Sequence, residues 1–158
     1  MKTRQSAFVV LFSAAMVVGS VSDVFACQCG SIPAPREAAA KSKAVVAAVV
    51  TGISEAKIPI DLDGRRDIVA AKRVKLRVQR VWKGAVSPTL HLITGVTNCD
   101  FNFRVGRTFL IYVEPVTHSP ENLTATICKP TKLYRDAKRD LVALGPGKAI
   151  RPSSAKES

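Results

Sequence analysis

The chain has 158 residues and a mass of 17.0 kDa, with 24 Lys and Arg against 12 Asp and Glu, a net charge of +12, and 47% hydrophobic residues. That length holds one domain with a substantial core and leaves no room for a two-domain enzyme. The apolar content, beside 23% charged residues, excludes a fully disordered chain, and the composition is neither collagen-like nor low-complexity.

The first element is a leader. Lys2 and Arg4 precede an apolar run, residues 7–18, which falls short of the roughly 20 residues that a spanning helix needs. Val24-Phe25-Ala26 then sets small or aliphatic residues three before and one before a cut. Residues 1–26 read as a cleaved signal peptide, and the product as an exported protein, periplasmic or extracellular, without a transmembrane segment. Cleavage would make Cys27 the first residue. A cysteine in that place can also carry the lipid of a bacterial lipoprotein. Bulky Phe25 departs from that pattern, and lipidation would strand one thiol in an oxidising space, so lipid anchoring is the less favoured alternative.

Residues 31–42 begin extended and carry a short helix at Pro35–Lys41, since Pro suits a first helical position and the Ala run propagates it. Residues 44–53 are β-branched and apolar throughout, a buried strand. Residues 54–66 are polar and read as a connection with a turn at Asp63-Gly64. A long strand follows over 67–83, in which Val74, Leu76 and Val78 alternate with Arg73, Lys75 and Arg77. Trp82 shares parity with Val78 and is expected to turn inward with it. Strands at 89–94, at 108–114 (apolar on both faces and so central) and at 123–128 complete the set. Thr131 is expected to cap a helix that runs to Leu144 and stops at Gly145. Residues 27–145 make the domain and 146–158 a flexible tail. Five short strands with one packed helix predict a mainly β fold, a five-stranded Greek-key barrel of OB type with a C-terminal helix packed on it.

All four cysteines, Cys27, Cys29, Cys99 and Cys128, follow the leader. An even number in an exported chain reads as a disulfide framework. Cysteines two apart rarely bridge each other, so Cys27 and Cys29 should each reach to Cys99 or Cys128. Each bridge closes a long loop and contributes about 4 kcal/mol by chain entropy. A zinc site is a poor fit, because no Cys-x2-Cys knuckle is present and His91 and His118 sit at no ligand spacing.

Catalytic motifs are missing. The sequence has no Gly-x-Ser-x-Gly, no phosphate-binding Gly-x4-Gly-Lys loop and no His-Glu-x2-His, and its carboxylates are scattered. No enzyme and no cofactor are expected. Arg73, Lys75 and Arg77 form a candidate face for a polyanion such as an acidic polymer or the envelope surface. It carries no outward aromatic residues for base stacking, so nucleic acid is not the expected partner. The informative feature is Cys27. Once exposed by cleavage, its α-amine has a pKa near 8 and is partly neutral at pH 7. The amine and the Cys27 carbonyl can together chelate the open position of a catalytic zinc belonging to a partner. A bridge at Cys29 would clamp the backbone two residues on, so that the ordering entropy is settled before binding.

Several segments carry a resemblance. They are Cys27-Gln28-Cys29 at the mature start, the Val/Ala-rich first strand, Val81-Trp82-Lys83-Gly84 and the Cys99 loop. Phe103-x2-Gly106-x2-Phe109-Leu110-Ile111-Tyr112 and Cys128 with its following helix complete the pattern. Together they resemble the netrin-like N-terminal domain of the tissue inhibitors of metalloproteinases, in a bacterial-type form, over roughly Cys27 to Gly145. The resemblance implies bridges Cys27–Cys99 and Cys29–Cys128 and an OB-like barrel. It implies an inhibitory edge of Cys27, Gln28, Cys29, Thr97, Asn98 and Cys99. Cys27 would chelate the protease zinc, Gln28 would enter the specificity pocket, and Thr97 and Asn98 would pack beside the cleft. The third N-domain bridge and the C-terminal six-cysteine subdomain of the animal inhibitors are missing, and Gln28 is longer than the small residue usual there. The expected partner is a zinc metalloprotease, met by a monomer.

Overall fold

The computed structural model describes residues 27–85 and 87–150; the leader with its cleavage site, and residues 151–158 of the tail, lie outside the described residues. The domain is built around one long hairpin, β1 (Ala44–Leu62) and β2 (Arg65–Lys83), joined at Asp63-Gly64. Both turn residues have positive φ, 54° and 79°, the left-handed pair that a two-residue hairpin turn requires. Asp61 Oδ1 accepts from Gly64 N at 2.7 Å and pins the turn. The expected turn is therefore present, but residues 54–66 are not a polar connection. They are the far halves of two strands, paired from Ser54↔Arg73 to Leu62↔Arg65. Cross-strand pairing satisfies their backbone, and Ile58 and Ile60 bury one face against Ala71, Ile93 and Val116.

The main strands follow the order β3-β2-β1-β4-β5, with β3 (Thr89–Thr94), β4 (Thr108–Val116) and β5 (Ser119–Thr124), all neighbours antiparallel. The sheet curls into a nearly closed barrel. Its two outer strands meet beyond their ends, where Phe101 N donates to the Ala125 carbonyl at 2.8 Å and Ile127 N to the Cys99 carbonyl at 2.9 Å. The fifth strand thus lies earlier than the sequence suggests, at 119–124 instead of 123–128. A tight turn at Thr117-His118 starts it at once, and Pro120, Glu121 and Asn122, poor strand formers, mask it in the sequence.

Alternate residues of the bent strands fill the barrel. Val46, Ala48 and Val50 meet Val74, Leu76 and Val78, with Phe103, Phe109, Ile111 and Val113 beside them. Phe101, Phe103 and Phe109 pack edge to face with ring centroids 5.0–5.6 Å apart. Strand β4 is buried on both sides, as expected. Its Leu110 and Tyr112 point outward from the barrel under a second layer that includes Ala38, Ala137 and Leu141.

That outer layer consists of α1 (Pro35–Lys41), in its expected place with Pro at its start, and α2 (Lys138–Leu144). The single helix expected from Thr131 is broken up. Lys132–Leu133 (β6) pairs with β4 and Tyr134–Asp136 forms a 3₁₀ turn before α2 begins. Thr131 does not cap a helix; its hydroxyl accepts from Tyr112 N at 3.1 Å and so serves the sheet. The tail also begins later than expected, because Lys148–Ala149 (β7) pairs with β2 and Ile150 packs on the barrel core.

Trp82 departs from its expected direction for a definite reason. Pairing steps from Arg80↔Ala47 to Val78↔Ala48 and leaves Gln79 unopposed, a β-bulge that offsets the alternation by one. Val78 and Val81 both face the barrel core, and Trp82 turns out to the helix layer. There its Nε1 donates to Gly145 O at 2.7 Å, and Lys83 Nζ donates to Ala39 O and Ala40 O at 2.9 and 2.7 Å. Those acceptors lie in the last turn of α1 and just past the end of α2, where carbonyls run short of intrahelical donors, although Ala39 O also accepts from Ser42 N at 3.3 Å. Gly84, at φ 83°, completes the motif: a Cβ there would lie 2.8 Å from Lys43 O.

Candidate partner-binding edge

Cys27-Gln28-Cys29 is strung between two bridges, Cys27–Cys99 with Cα atoms 5.0 Å apart and Cys29–Cys128 with Cα atoms 5.2 Å apart. This is the pairing that the resemblance implies. No residue from Cys27 to Gly30 is buried, and Gln28 is exposed. Covalent closure, not apolar burial, therefore fixes this segment.

The loop that Cys27 reaches, residues 95–100, is shaped by a residue that the sequence reading passed over. Asp100 Oδ2 accepts from Val96 N at 2.8 Å and from Thr97 N at 3.0 Å. Thr97 Oγ1 accepts from Cys99 N at 3.2 Å, and Asp100 N donates to Thr97 O at 3.3 Å. A carboxylate that collects neighbouring N–H groups is a local turn device of Asp, and Asp100 directly after Cys99 was its only signal. The result is that Thr97 and Asn98 stand exposed beside Cys99. All six residues of the expected edge are therefore gathered by the two bridges and this loop.

Beside the loop lies an open groove of about 400 Å³ whose lining includes Ile60, Thr97, Cys99, Glu114 and Thr126. Glu114 is held there by Lys129 at 3.0 Å and by the Thr126 hydroxyl, which donates to Oε2 at 3.1 Å. The groove has no counterpart in the sequence reading, since its residues come from four separate stretches of chain.

The Sγ atoms of Cys27, Cys29 and Cys128 lie within 4.8 Å of one another. All four cysteines are spent in bridges, so none supplies a thiolate ligand. No other cluster of His, Cys, Asp or Glu among the described residues has metal-binding spacing.

The basic strand face is a separate surface. Arg73, Lys75 and Arg77 are exposed, and Val74, Leu76 and Val78 between them are buried. Lys75 stands opposite exposed His91, and Arg77 opposite Thr89, on β3. None of the three cations takes part in the ion pairs among the described residues. No helix among the described residues is long and apolar enough to cross a membrane. No protein-family model matches the chain, and no curated protein matches it.

Proposed function

We propose that this chain is an exported inhibitor of a zinc metalloendopeptidase, built as an OB-type barrel of the netrin-like kind. The strand order β3-β2-β1-β4-β5, with the outer strands meeting past their ends, fits a partly open five-stranded Greek-key barrel. The observation that carries the functional reading is the Cys27–Cys99 bridge, which seats Cys27 and exposed Gln28 beside Thr97 and Asn98 on one edge.

In this reading, cleavage after Ala26 frees the Cys27 amine. Amine and carbonyl then form a five-membered chelate with the protease's catalytic zinc, at the position that water otherwise occupies. The bridges on either side of Gln28 hold that pair in place before the encounter, which removes part of the ordering cost of binding. Gln28 enters the specificity pocket, and its length favours a protease whose pocket can take a polar side chain. The inhibitor acts as a monomer and carries no cofactor of its own.

The test compares three forms of the protein against a panel of zinc metalloendopeptidases: one beginning at free Cys27, one acetylated there, and one with a single added residue. Intact-mass measurement first establishes each N-terminus. Inhibition by the free form alone, with equal thermal midpoints for all three, is the expected result. Inhibition by the acetylated form would exclude chelation by the amine.

A second reading has its own observation, the three exposed cations without ion pairs on β2. In it, the domain is a non-inhibitory envelope module whose basic face meets an acidic polymer. Salt-sensitive binding that disappears when Arg73, Lys75 and Arg77 are all changed to Ala, in a protein that inhibits no protease, would favour it over the first.

A further inference from the structure

Cys27 stands at the centre of the four sulfurs. Bonded to Cys99, its Sγ also lies 3.9 Å from Cys29 Sγ and 3.8 Å from Cys128 Sγ. The two bridges are thus close to van der Waals contact. A thiolate released at Cys29 or at Cys128 already stands against the Cys27–Cys99 bond. All four cysteines are partly exposed, so a small thiol can reach them.

We propose that Cys27 is the hub of a thiol-catalysed bridge exchange that connects the N-terminal segment to the Cys99 loop or releases it. The functional consequence rests on the inhibitory reading above; the chemistry does not. Exchange proceeds by thiolate attack on a disulfide sulfur through a mixed disulfide. A small monothiol, as thiolate, attacks Cys29 Sγ; the Cys29–Cys128 bond breaks and Cys128 leaves with the electron pair. The Cys128 thiolate attacks Cys27 Sγ, forming Cys27–Cys128 and expelling the Cys99 thiolate. Cys99 then attacks Cys29 in the mixed disulfide, forming Cys29–Cys99 and returning the monothiol. Nothing is oxidised or reduced overall, and the monothiol is a catalyst. Initial attack at Cys128 leads by the same steps to Cys27–Cys29 and Cys99–Cys128. In either product Cys27 is no longer tied to the loop of Thr97 and Asn98: in the first Cys29 takes its place on the loop and displaces the Cys27 end, and in the second the whole segment is freed from the loop. Exchange is then a switch on the proposed inhibitor.

The distances also explain why Cys27, and not another cysteine, has this role. Its sulfur has close nonbonded neighbours from both sides of the second bridge, one two residues away and one 101 residues away. The attack on Cys27 needs a sulfur movement of about 2 Å, the difference between a contact near 4 Å and a bond near 2 Å.

The experiment incubates the fully oxidised protein with substoichiometric glutathione at pH 8, quenches with acid and an alkylating agent, and maps the bridges by mass spectrometry of unreduced peptides. Circular dichroism follows the fold in parallel. The expected result is growth of Cys27–Cys128 with Cys29–Cys99, or of Cys27–Cys29 with Cys99–Cys128, to a constant ratio while the β-sheet signal is retained. Only native bridges and opened chains, or new bridges only after loss of the fold, would overturn the proposal. Cys29→Ser provides a second route without added thiol, since it leaves a permanent thiol at Cys128. There Cys27 should divide between Cys99 and Cys128, and exclusive Cys27–Cys99 would again overturn it. Bridge mapping needs no protease, so a failed inhibitor reading leaves this result standing. If the protein does inhibit, unchanged inhibition by the exchanged form would remove the switch.

Discussion

At the N-terminal end of α1 the chain is held by sulfur: Cys29 is bonded to Cys128, and Lys129 next to it helps Lys41 to hold the Glu37 carboxyl below its usual range. At the C-terminal end of this seven-residue helix it is held by side chains. Lys83 donates to two α1 carbonyls and Trp82 donates to Gly145. The two fastenings answer different problems. The Cys27–Gly30 segment buries no residue, so packing offers it almost nothing and a covalent tie takes its place. The Trp82 end buries an aromatic ring between a sheet and two helices, and hydrogen bonds finish what burial begins. An edge that buries so little can be rigid only in the first way.

Removing the sulfur fastening breaks the comparison most severely. Cys29→Ser with Cys128→Ser opens a link across a separation of 99 residues, and a loss of about 4 to 5 kcal/mol is expected from chain entropy. Denaturant unfolding of the two forms measures it, and a loss under about 1 kcal/mol would mean that packing already fixes this end. Trp82→Ala tests the other fastening, with an expected cost of about 3 kcal/mol from lost burial and an unpartnered Gly145 carbonyl. Bridge mapping of that variant should still show both native disulfides, since the cysteine end does not depend on the ring.

A smaller effect sharpens the picture of the helix layer. Tyr112 Oη and Asp140 Oδ2 are buried without a hydrogen-bond partner among the described residues, although Asp140 Oδ1 pairs with Lys132 at 3.0 Å. Burial, and secondarily the Asp140 charge, push the Tyr112 hydroxyl above its ordinary pKa. Replacing a buried unsatisfied hydroxyl by hydrogen costs little. Tyr112→Phe should therefore hold or raise the thermal midpoint, and a fall of several degrees would reveal a partner for the hydroxyl.

The smallest effect is at Glu37. The hydrogen bond from Lys41 Nζ at 2.7 Å, and the Lys41 charge, lower its pKa. A lowered carboxyl pKa gives a contribution that is present above the unfolded value and lost as pH falls through the folded one. The pair is exposed, so the sign should appear as an NMR titration midpoint below the ordinary glutamate value of 4.5, with no measurable change in unfolding for Glu37→Gln.

Legibility followed the range of the interactions involved. The buried alternation of Val74, Leu76 and Val78, the Pro35 helix start and the two-sided burial of β4 could all be read locally, because period and cap chemistry lie within a few residues. The far arm of the hairpin could not be. Ser54, Glu55 and Lys57 are polar, and only the pairing of residues 54–57 with residues 73–70 on β2 makes them a strand. At the edge, the cysteines announced themselves, while Asp100, Glu114 and Lys129 did not, because their partners are supplied by the loop and by β4.

By itself the sequence determined a mainly β domain, its helix start, its basic strand face and a set of four cysteines placed to be bridged, since composition, period and residue type are properties of the chain. Only the tertiary structure decided which way Trp82 points and where the fifth strand begins. It also decided how near the two bridges stand to each other. The bulge at Gln79 lets Val81 face the core and Trp82 the helix layer, and the 3.8 Å between Cys27 and Cys128 exists only because segments 101 residues apart are brought to the same corner of the barrel.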